Sequence, residues 1–206
     1  MPPGERTSTS LWAATLPDDE RFTAGAPLAS LSGFDVAIVG AGYTGLWTAW
    51  YLARRDPSLR IVVIEREHVG FGASGRNGGW CSAILPMGLD TIAATHGEQA
   101  AHRMQAAMHA TVTEIGRFTE QHAPAGVFHR GGTIDVARTP RQIERLRAHV
   151  ADQHRFGFGE DDYRWLDVGE VDDHLLIDGA LGAAFTPHCA TVHPLRLVHA
   201  LANAVA

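Results

Sequence analysis

Lysine is absent from this chain of 206 residues, so all 17 basic side chains are arginines. That absence excludes Schiff-base chemistry on a lysine and a phosphate-binding loop of the GxxxxGK[ST] type. Cysteine is nearly absent. Cys81 and Cys189 lie far apart and form no CxxC pair, which predicts neither a disulfide framework nor a thiolate metal site and suits a reducing cytoplasm. Positive charge is not in excess: a formal net charge of -6 gives no electrostatic reason to expect nucleic acid or an anionic membrane as a partner. The opening MPPGERTSTS lacks the apolar run of a signal peptide.

What the chain does have is 45% apolar residues, enough for a core. Residues 36–53 (VAIVGAGYTGLWTAWYLA) carry no charge and approach the lower limit for a membrane span. Three glycines and two threonines interrupt them, so a buried strand, a turn and a helix describe the run better than a span. Residues 35–39 (DVAIV) read as a strand buried on both faces of a parallel sheet. The 40–45 segment turns the chain, a helix follows from Tyr43 to about Arg54, and residues 59–65 (LRIVVIE) read as a second buried strand. Together they make one βαβ unit.

Further along, Ala101, Met104, Met108, Val112, Ile115 and Phe118 recur every three or four residues, predicting a long helix over about 97–121. GGTIDVA (131–137) reads as a strand. TPRQ (139–142) opens a helix in capping-box form, with the apolar stripe Ile143, Leu146 and Val150. DVGE (167–170) reads as another N-cap. A last helix starts at Pro194 with Leu197, Val198, Leu201 and Val205 on its apolar face, and the chain stops without a cap. SLWAAT, within an irregular arm over residues 1–33, has one tryptophan to dock on the body.

GAGYTG follows a strand and opens a helix, the context a GxGxxG dinucleotide fingerprint requires. Gly40 permits the tight turn, Gly42 lets a pyrophosphate approach the backbone, and Gly45 lets helix and strand pack closely. The helix N-terminus offers free N–H groups to phosphates. Glu65 ends the second strand, placed to accept hydrogen bonds from ribose hydroxyls. NAD and FAD share this ADP half. The next stretch, GFGASGRNGGW (70–80), holds five glycines, and a nicotinamide unit does not require a second glycine loop there. A larger, deeply buried cofactor does. Ser74, Arg76 and Asn77 would donate to phosphate or flavin oxygens, and Gly78 and Gly79 would leave room for the ring system. Tyr43, Thr44, Arg66 and Ala73 flank these positions and count in the same cofactor site.

DVAIVGAGYTGLWTAWYLA, VVIEREHVGFGASGRNGGW and ATVHPLRLVHALANA together resemble the FAD-dependent D-amino-acid oxidase superfamily, and within it the bacterial gamma-glutamylputrescine oxidase-like members. SLWAAT resembles the SxWxAT opening of that subgroup. The resemblance covers most of residues 10–206. It implies an α/β chain, α+β overall, in which a Rossmann-like FAD-binding βαβ unit is interrupted by an inserted, incomplete substrate domain. Residues 1–33 are then an arm, 34–90 the FAD-binding unit with its glycine loop, 91–189 part of a substrate or cap domain, and 190–206 a helix returning to the FAD domain. It also implies FAD as cofactor, an amine or amino acid as substrate, and oxidation of a C–N bond by hydride transfer to flavin N5. Relatives run to about twice this length, which predicts an N-terminal fragment that alone binds FAD weakly or not at all, is inactive or weak in turnover, and lacks a C-terminal half or a partner subunit.

Rival readings are weaker. Twelve histidines invite a metal, but His102 with His109, and His188 with Cys189 and His193, match no HExxH or zinc-finger spacing, so no metal is expected. His193 reads as part of a helix start. GASGR is not the GxSxG of a nucleophile elbow. Asp135, Asp161 and Asp162 read as surface or turn residues. A non-catalytic dinucleotide-binding fragment or subunit remains an alternative, and an NAD-dependent dehydrogenase is disfavoured by the second glycine loop.

Overall fold

Val36–Val39 and Ile61–Ile64 are rich in β-branched side chains, which fit a pleated strand, and they form β1 and β2. These belong to a computed structural model that describes residues 10–17, 20, 27–30 and 32–206. The two strands pair in parallel, from Val36 opposite Ile61 to Val39 opposite Ile64. A parallel pair needs a crossover, and α2 (Tyr43–Arg55) supplies it, completing the expected βαβ unit. One expectation needs correction: β1 is not buried on both faces. Ile38 packs toward α2 at Gly45, but the alternate residues Ala37 and Val39 are exposed, Val39 by 86%. Among the described residues no helix is long and apolar enough to cross a membrane.

The chain divides into two compact units. The first comprises Met1–Gly79, Phe118–Phe128 and Val192–Ala206, the second Trp80–Arg117 and His129–Thr191. The division falls at Gly79, eleven residues before the boundary expected at 90. The segment expected as an arm counts with the first unit; its residues 1–9, 18–19, 21–26 and 31 lie outside the described residues.

In the first unit, a short α1 (Leu11–Ala14) brings in the expected tryptophan: Trp12 Nε1 donates to the Asn77 carbonyl at 2.8 Å. The last helix, α7 (Pro194–Val205), begins where His193 Nδ1 accepts from the Arg196 N–H at 3.2 Å, so His193 is indeed a helix-start residue. Leu197, Val198 and Leu201 bury its apolar face, and Arg196 grips Glu20 through two hydrogen bonds of 2.6 and 2.9 Å. Phe118 meets the rings of Trp47 and Trp50 edge-on, at 4.9 and 5.3 Å between centroids.

The second unit contains β3 (Trp80–Ser82), α3 (Leu89–His96) and most of α4 (Glu98–His122). β4 (Phe128–Arg130), β5 (Thr133–Val136), α5 (Pro140–Arg155), β6 (Arg164–Leu166), α6 (Val168–His174), β7 (Ala183–Thr186) and β8 (Cys189–Val192) follow. One sheet runs β3-β8-β4 and another β5-β7-β6, the latter antiparallel with Ile134 opposite Phe185. Leu89, Ala101, Phe156, Phe158 and Tyr163 form one core, and Leu166, Val171 and Ala183 another. Asp167 and Glu170 make the reciprocal capping box. At α5, Thr139 accepts from the Gln142 N–H, but the Gln142 amide oxygen reaches the Arg138 N–H, one residue before its expected partner.

The buried face of α4 also departs from expectation. Met104 is half exposed, while the polar Gln105 and His109 are buried on the face with Ala101 and Val112. Apolar periodicity placed the helix correctly, with Ala101, Val112 and Phe118 buried as expected, but Gln105 and His109 take the buried places expected for Met104 and Met108. The reason is a polar network in the second unit that sequence spacing does not show.

Candidate functional site

Gly40 adopts φ +101°, a left-handed conformation open to glycine, and its N–H donates to the Ile64 carbonyl at 2.7 Å. A Cβ on Gly45 would stand 2.1 Å from the Gly40 carbonyl oxygen and 3.2 Å from Ile38 Cγ2. Helix and strand therefore meet only because that side chain is missing. Gly42 is the N-cap of α2 and brings no side chain to cap it. Ser74 does so instead, from thirty-one positions beyond Tyr43: its Oγ accepts from the Tyr43 N–H at 2.9 Å. The hydroxyl keeps its own proton to donate. The Tyr43 hydroxyl itself donates to the Pro194 carbonyl, and Thr44 is exposed.

Glu65 closes the other side of this turn. Its Oε2 accepts from the Ala41 N–H at 2.9 Å and its Oε1 from the Glu67 N–H at 3.0 Å. Burial pushes its pKa up, but hydrogen bonds from the Ala41, Glu67 and Arg66 N–H groups outweigh burial and hold it below the ordinary value. The acid is thus oriented and ionised. Arg66 points outward and pairs with Glu67 at 3.3 Å.

The second glycine stretch contains a feature the sequence reading missed. GFGASG repeats the GxGxxG spacing of GAGYTG, and it repeats the geometry. Gly70 has φ +73°, and a Cβ on Gly75 would stand 2.1 Å from the Gly70 carbonyl oxygen. This turn opens only a single 3-10 turn, Ala73–Gly75. Gly70 N–H reaches back to the Ala41 carbonyl at 3.4 Å, tying the two turns together.

Beyond that point the loop serves itself. The Asn77 amide donates to the Ser74 carbonyl at 3.0 Å and accepts from the Gly79 N–H at 2.9 Å. Arg76 lies over the Phe71 ring at 4.5 Å. Gly78 is exposed, whereas Gly79 is buried with the Trp12 ring and the Val192 carbonyl where a side chain would stand. The room expected at Gly79 for a ring system is filled by this chain.

A cavity of about 430 Å³ lies between the 40–42 turn, residues 64–67 and residues 70–74. Of the expected cofactor residues, Gly40, Gly42, Glu65, Arg66, Ala73 and Ser74 line it; Tyr43, Thr44, Gly45, Arg76, Asn77, Gly78 and Gly79 do not. The cradle suits an ADP group. Its walls at Gly40 and Gly72 are open for 4 Å where side chains would stand, Glu65 offers an oriented carboxylate, and Ser74 a hydroxyl.

In the second unit the fold gathers a cluster that sequence spacing concealed. The rings of His109 and His188 stack 3.6 Å apart within 3° of parallel. His188 Nε2 lies 2.7 Å and His109 Nδ1 3.9 Å from Asp162 Oδ1. Asp162 is thus not merely a turn residue. Burial first, then the neighbouring His188, lowers the His109 pKa to about 4, so His109 is neutral. Its Nε2 lies 3.1 Å from the Tyr163 hydroxyl, whose pKa burial raises to about 12. Two histidines and a carboxylate suggest a metal site, but the outer contacts oppose it. A metal-bound histidine presents its other ring N–H to an acceptor. The other nitrogen of His188 instead faces the Arg130 guanidinium at 3.4 Å, an obligate donor. Stacked parallel rings also cannot aim both lone pairs at one ion. Cys81, with its pKa raised to about 11 chiefly by burial, is no thiolate nucleophile.

Comparison with known proteins agrees with this geometry. Residues 35–206 match the family described as FAD dependent oxidoreductase. Gamma-glutamylputrescine oxidoreductase of Escherichia coli (strain K12) is 32% identical over 171 residues, covering 83% of this chain and 39% of that protein. Glycine oxidase of Geobacillus kaustophilus superposes with a TM-score of 0.60 at 27% identity, over 84% of this chain and 44% of the other. L-amino acid deaminase of Proteus myxofaciens shares the fold at a TM-score of 0.70 and 17% identity, over 90% of this chain and 39% of that one. The chain spans 39% to 40% of the length of the curated relatives matched over most of it. With a match extending over most of its residues, the chain belongs to the FAD-dependent oxidoreductase family.

Proposed function

We propose that this chain supplies the ADP-cradling part, and part of the cap, of an FAD-dependent enzyme that oxidises a C–N bond of an amine or amino acid. The observation that supports it most is the cavity shared by the 40–42 turn, Glu65 and the 70–74 turn. Gly40 and Gly42 let a pyrophosphate approach the backbone. Glu65, ionised and held by the Ala41 and Glu67 N–H groups, accepts from ribose hydroxyls. Ser74 caps α2 and donates its remaining proton to a phosphate oxygen. FAD held by these residues would supply the two-electron acceptor for hydride transfer from the amine's C–N carbon. The second unit, on this reading, holds part of the substrate-facing cap.

Calorimetric titration of the purified chain with ADP tests the cradle. Saturable binding is expected, weakened about tenfold by Glu65→Gln, the scale of one charge-assisted hydrogen bond. Binding untouched by that substitution overturns the site. The reaction is tested by anaerobic bleaching of the flavin band of the FAD-loaded chain. Any bleaching should come from an amine and not from the 2-hydroxy acid of the same carbon skeleton; the reverse overturns the C–N assignment. ADP binding without bleaching by any amine favours a non-catalytic binding subunit.

A further inference from the structure

We propose that the stacked pair His109–His188 is an acid-released latch, which frees the β7–β8 turn of the second unit when a proton is added. Every group in it belongs to the second unit, so it goes beyond the flavin reading and does not rest on it.

The turn it holds joins two sheets at their centres. β7 is the middle strand of β5-β7-β6 and β8 the middle strand of β3-β8-β4, and only Pro187 and His188 lie between them. Three elements converge there. α4 lays the His109 ring on the His188 ring at 3.6 Å, and Asp162 meets His188 Nε2 at 2.7 Å. Arg130, at the end of β4, donates to the Pro187 carbonyl at 3.1 Å and to the Thr113 hydroxyl of α4 at 3.3 Å. The same guanidinium faces His188 Nδ1 at 3.4 Å. A donor at Nδ1 and a carboxylate at Nε2 describe an uncharged ring with its proton on Nε2. Tyr163 and Thr186 also line the cavity of about 250 Å³ in this unit, so release of the turn reaches the cavity wall.

A proton added to His109 finds no free acceptor. Its Nε2 already meets the Tyr163 hydroxyl at 3.1 Å, and that hydroxyl also accepts from Gln105. The carboxylate beside its Nδ1 is Asp162, at 3.9 Å and beyond hydrogen-bond reach, and the same oxygen is held by His188. Phe158 presents an apolar ring 5.0 Å away. The other ionisable neighbours are Arg130, His188, His102 two turns back on α4, and Tyr163, which burial keeps protonated. The new charge would therefore stand near an obligate cation with one committed carboxylate to offset it. Once the stack opens, water solvates His109, and an imidazole in water titrates near 6.5. The closed latch holds His109 neutral down to about pH 4. The open form thus takes up a proton that the closed form refuses. Closure is complete above about pH 6.5 and weakens as pH falls from there toward about 4.

The test is native-state amide hydrogen exchange of the purified full chain at pH 7, 6 and 5, corrected for intrinsic rates. It reads the latch at Ala83, whose N–H donates to the His188 carbonyl at 3.1 Å. Opening there should rise about tenfold or more from pH 7 to pH 5. His109→Gln keeps a polar partner for Tyr163 and cannot take the proton, so it should flatten that rise. If this variant misfolds, the ring-proton resonances of His109 in the unaltered chain decide, and they should titrate well below the ordinary histidine range. Exchange at Ala83 that is independent of pH, a rise that persists in folded His109→Gln, or a His109 ring that titrates near pH 6.5 each overturns the proposal.

Discussion

The 40–45 and 70–75 turns share one spacing and one backbone device, yet they do different work. In both, the first glycine has positive φ and the third lies so close to the carbonyl of the first that a Cβ would stand 2.1 Å from it. They differ in what surrounds the first glycine. Space around Gly40 is open for 4 Å, whereas a Cβ on Gly70 would meet Val198 Cγ1 at 2.6 Å and Leu195 Cδ1 at 2.9 Å, both from α7. Both turns line the cavity, but the first opens a helix of 13 residues, whereas the second opens one 3-10 turn and is braced by packing at its first glycine. GxGxxG thus specifies a close backbone crossing. Whether the crossing is free to take a ligand depends on what packs beside its first glycine.

The sharpest test of the shared device replaces the third glycine of each turn. Gly45→Ala and Gly75→Ala should each cost about 3 kcal/mol in urea unfolding, because a backbone carbonyl cannot move away as a flexible side chain can. If either substitution is neutral, the two turns are not equivalent. The next largest effect separates them. Gly40→Ala and Gly70→Ala share the strain of positive φ, but the second also collides with α7, so it should be the costlier by about 1–2 kcal/mol. Equal costs would erase the distinction between an open and a braced turn.

Ser74→Ala asks whether the second turn caps the helix of the first. Loss of its bond to the Tyr43 N–H should cost about 1 kcal/mol. The smallest effect concerns Glu65. Its folded pKa is lowered, so its contribution is complete above the ordinary carboxylate pKa and disappears as pH falls through the lowered folded value. In the free protein Glu65→Gln should flatten that part of the acid limb by about 0.5 kcal/mol, given solvent screening. A steeper acid limb in the variant would contradict the assignment.

The legible features are local ones. The β1–α2–β2 unit, the roles of Gly40 and Gly45, the Thr139 and Asp167 caps and the helix start at His193 each depend on residues a few positions apart. The 70–75 repeat was legible in the same way, although its glycines read at first only as room for a cofactor. The Ser74 cap on Tyr43 was hidden, because it joins residues 31 positions apart. So was the burial of Gln105 and His109 on α4. Helical periodicity assigns the inward face to apolar residues, but here Tyr163, Asp162 and His188 give two polar residues buried partners. Asn77 and Gly79 were drawn toward a ligand by their residue types, whereas Trp12 and Val192, from either end of the chain, are what they meet.

By itself the sequence determined where backbone must pass close to backbone. A missing Cβ and a positive φ are properties of single residues, and a repeat of six positions carries them without help from the rest of the chain. Only the tertiary structure decided which of those crossings stays open and which polar side chains become a buried network. Those outcomes depend on α7 arriving beside Gly70, and on residues 109, 130, 162 and 188 meeting across loops whose lengths carry no trace of the encounter.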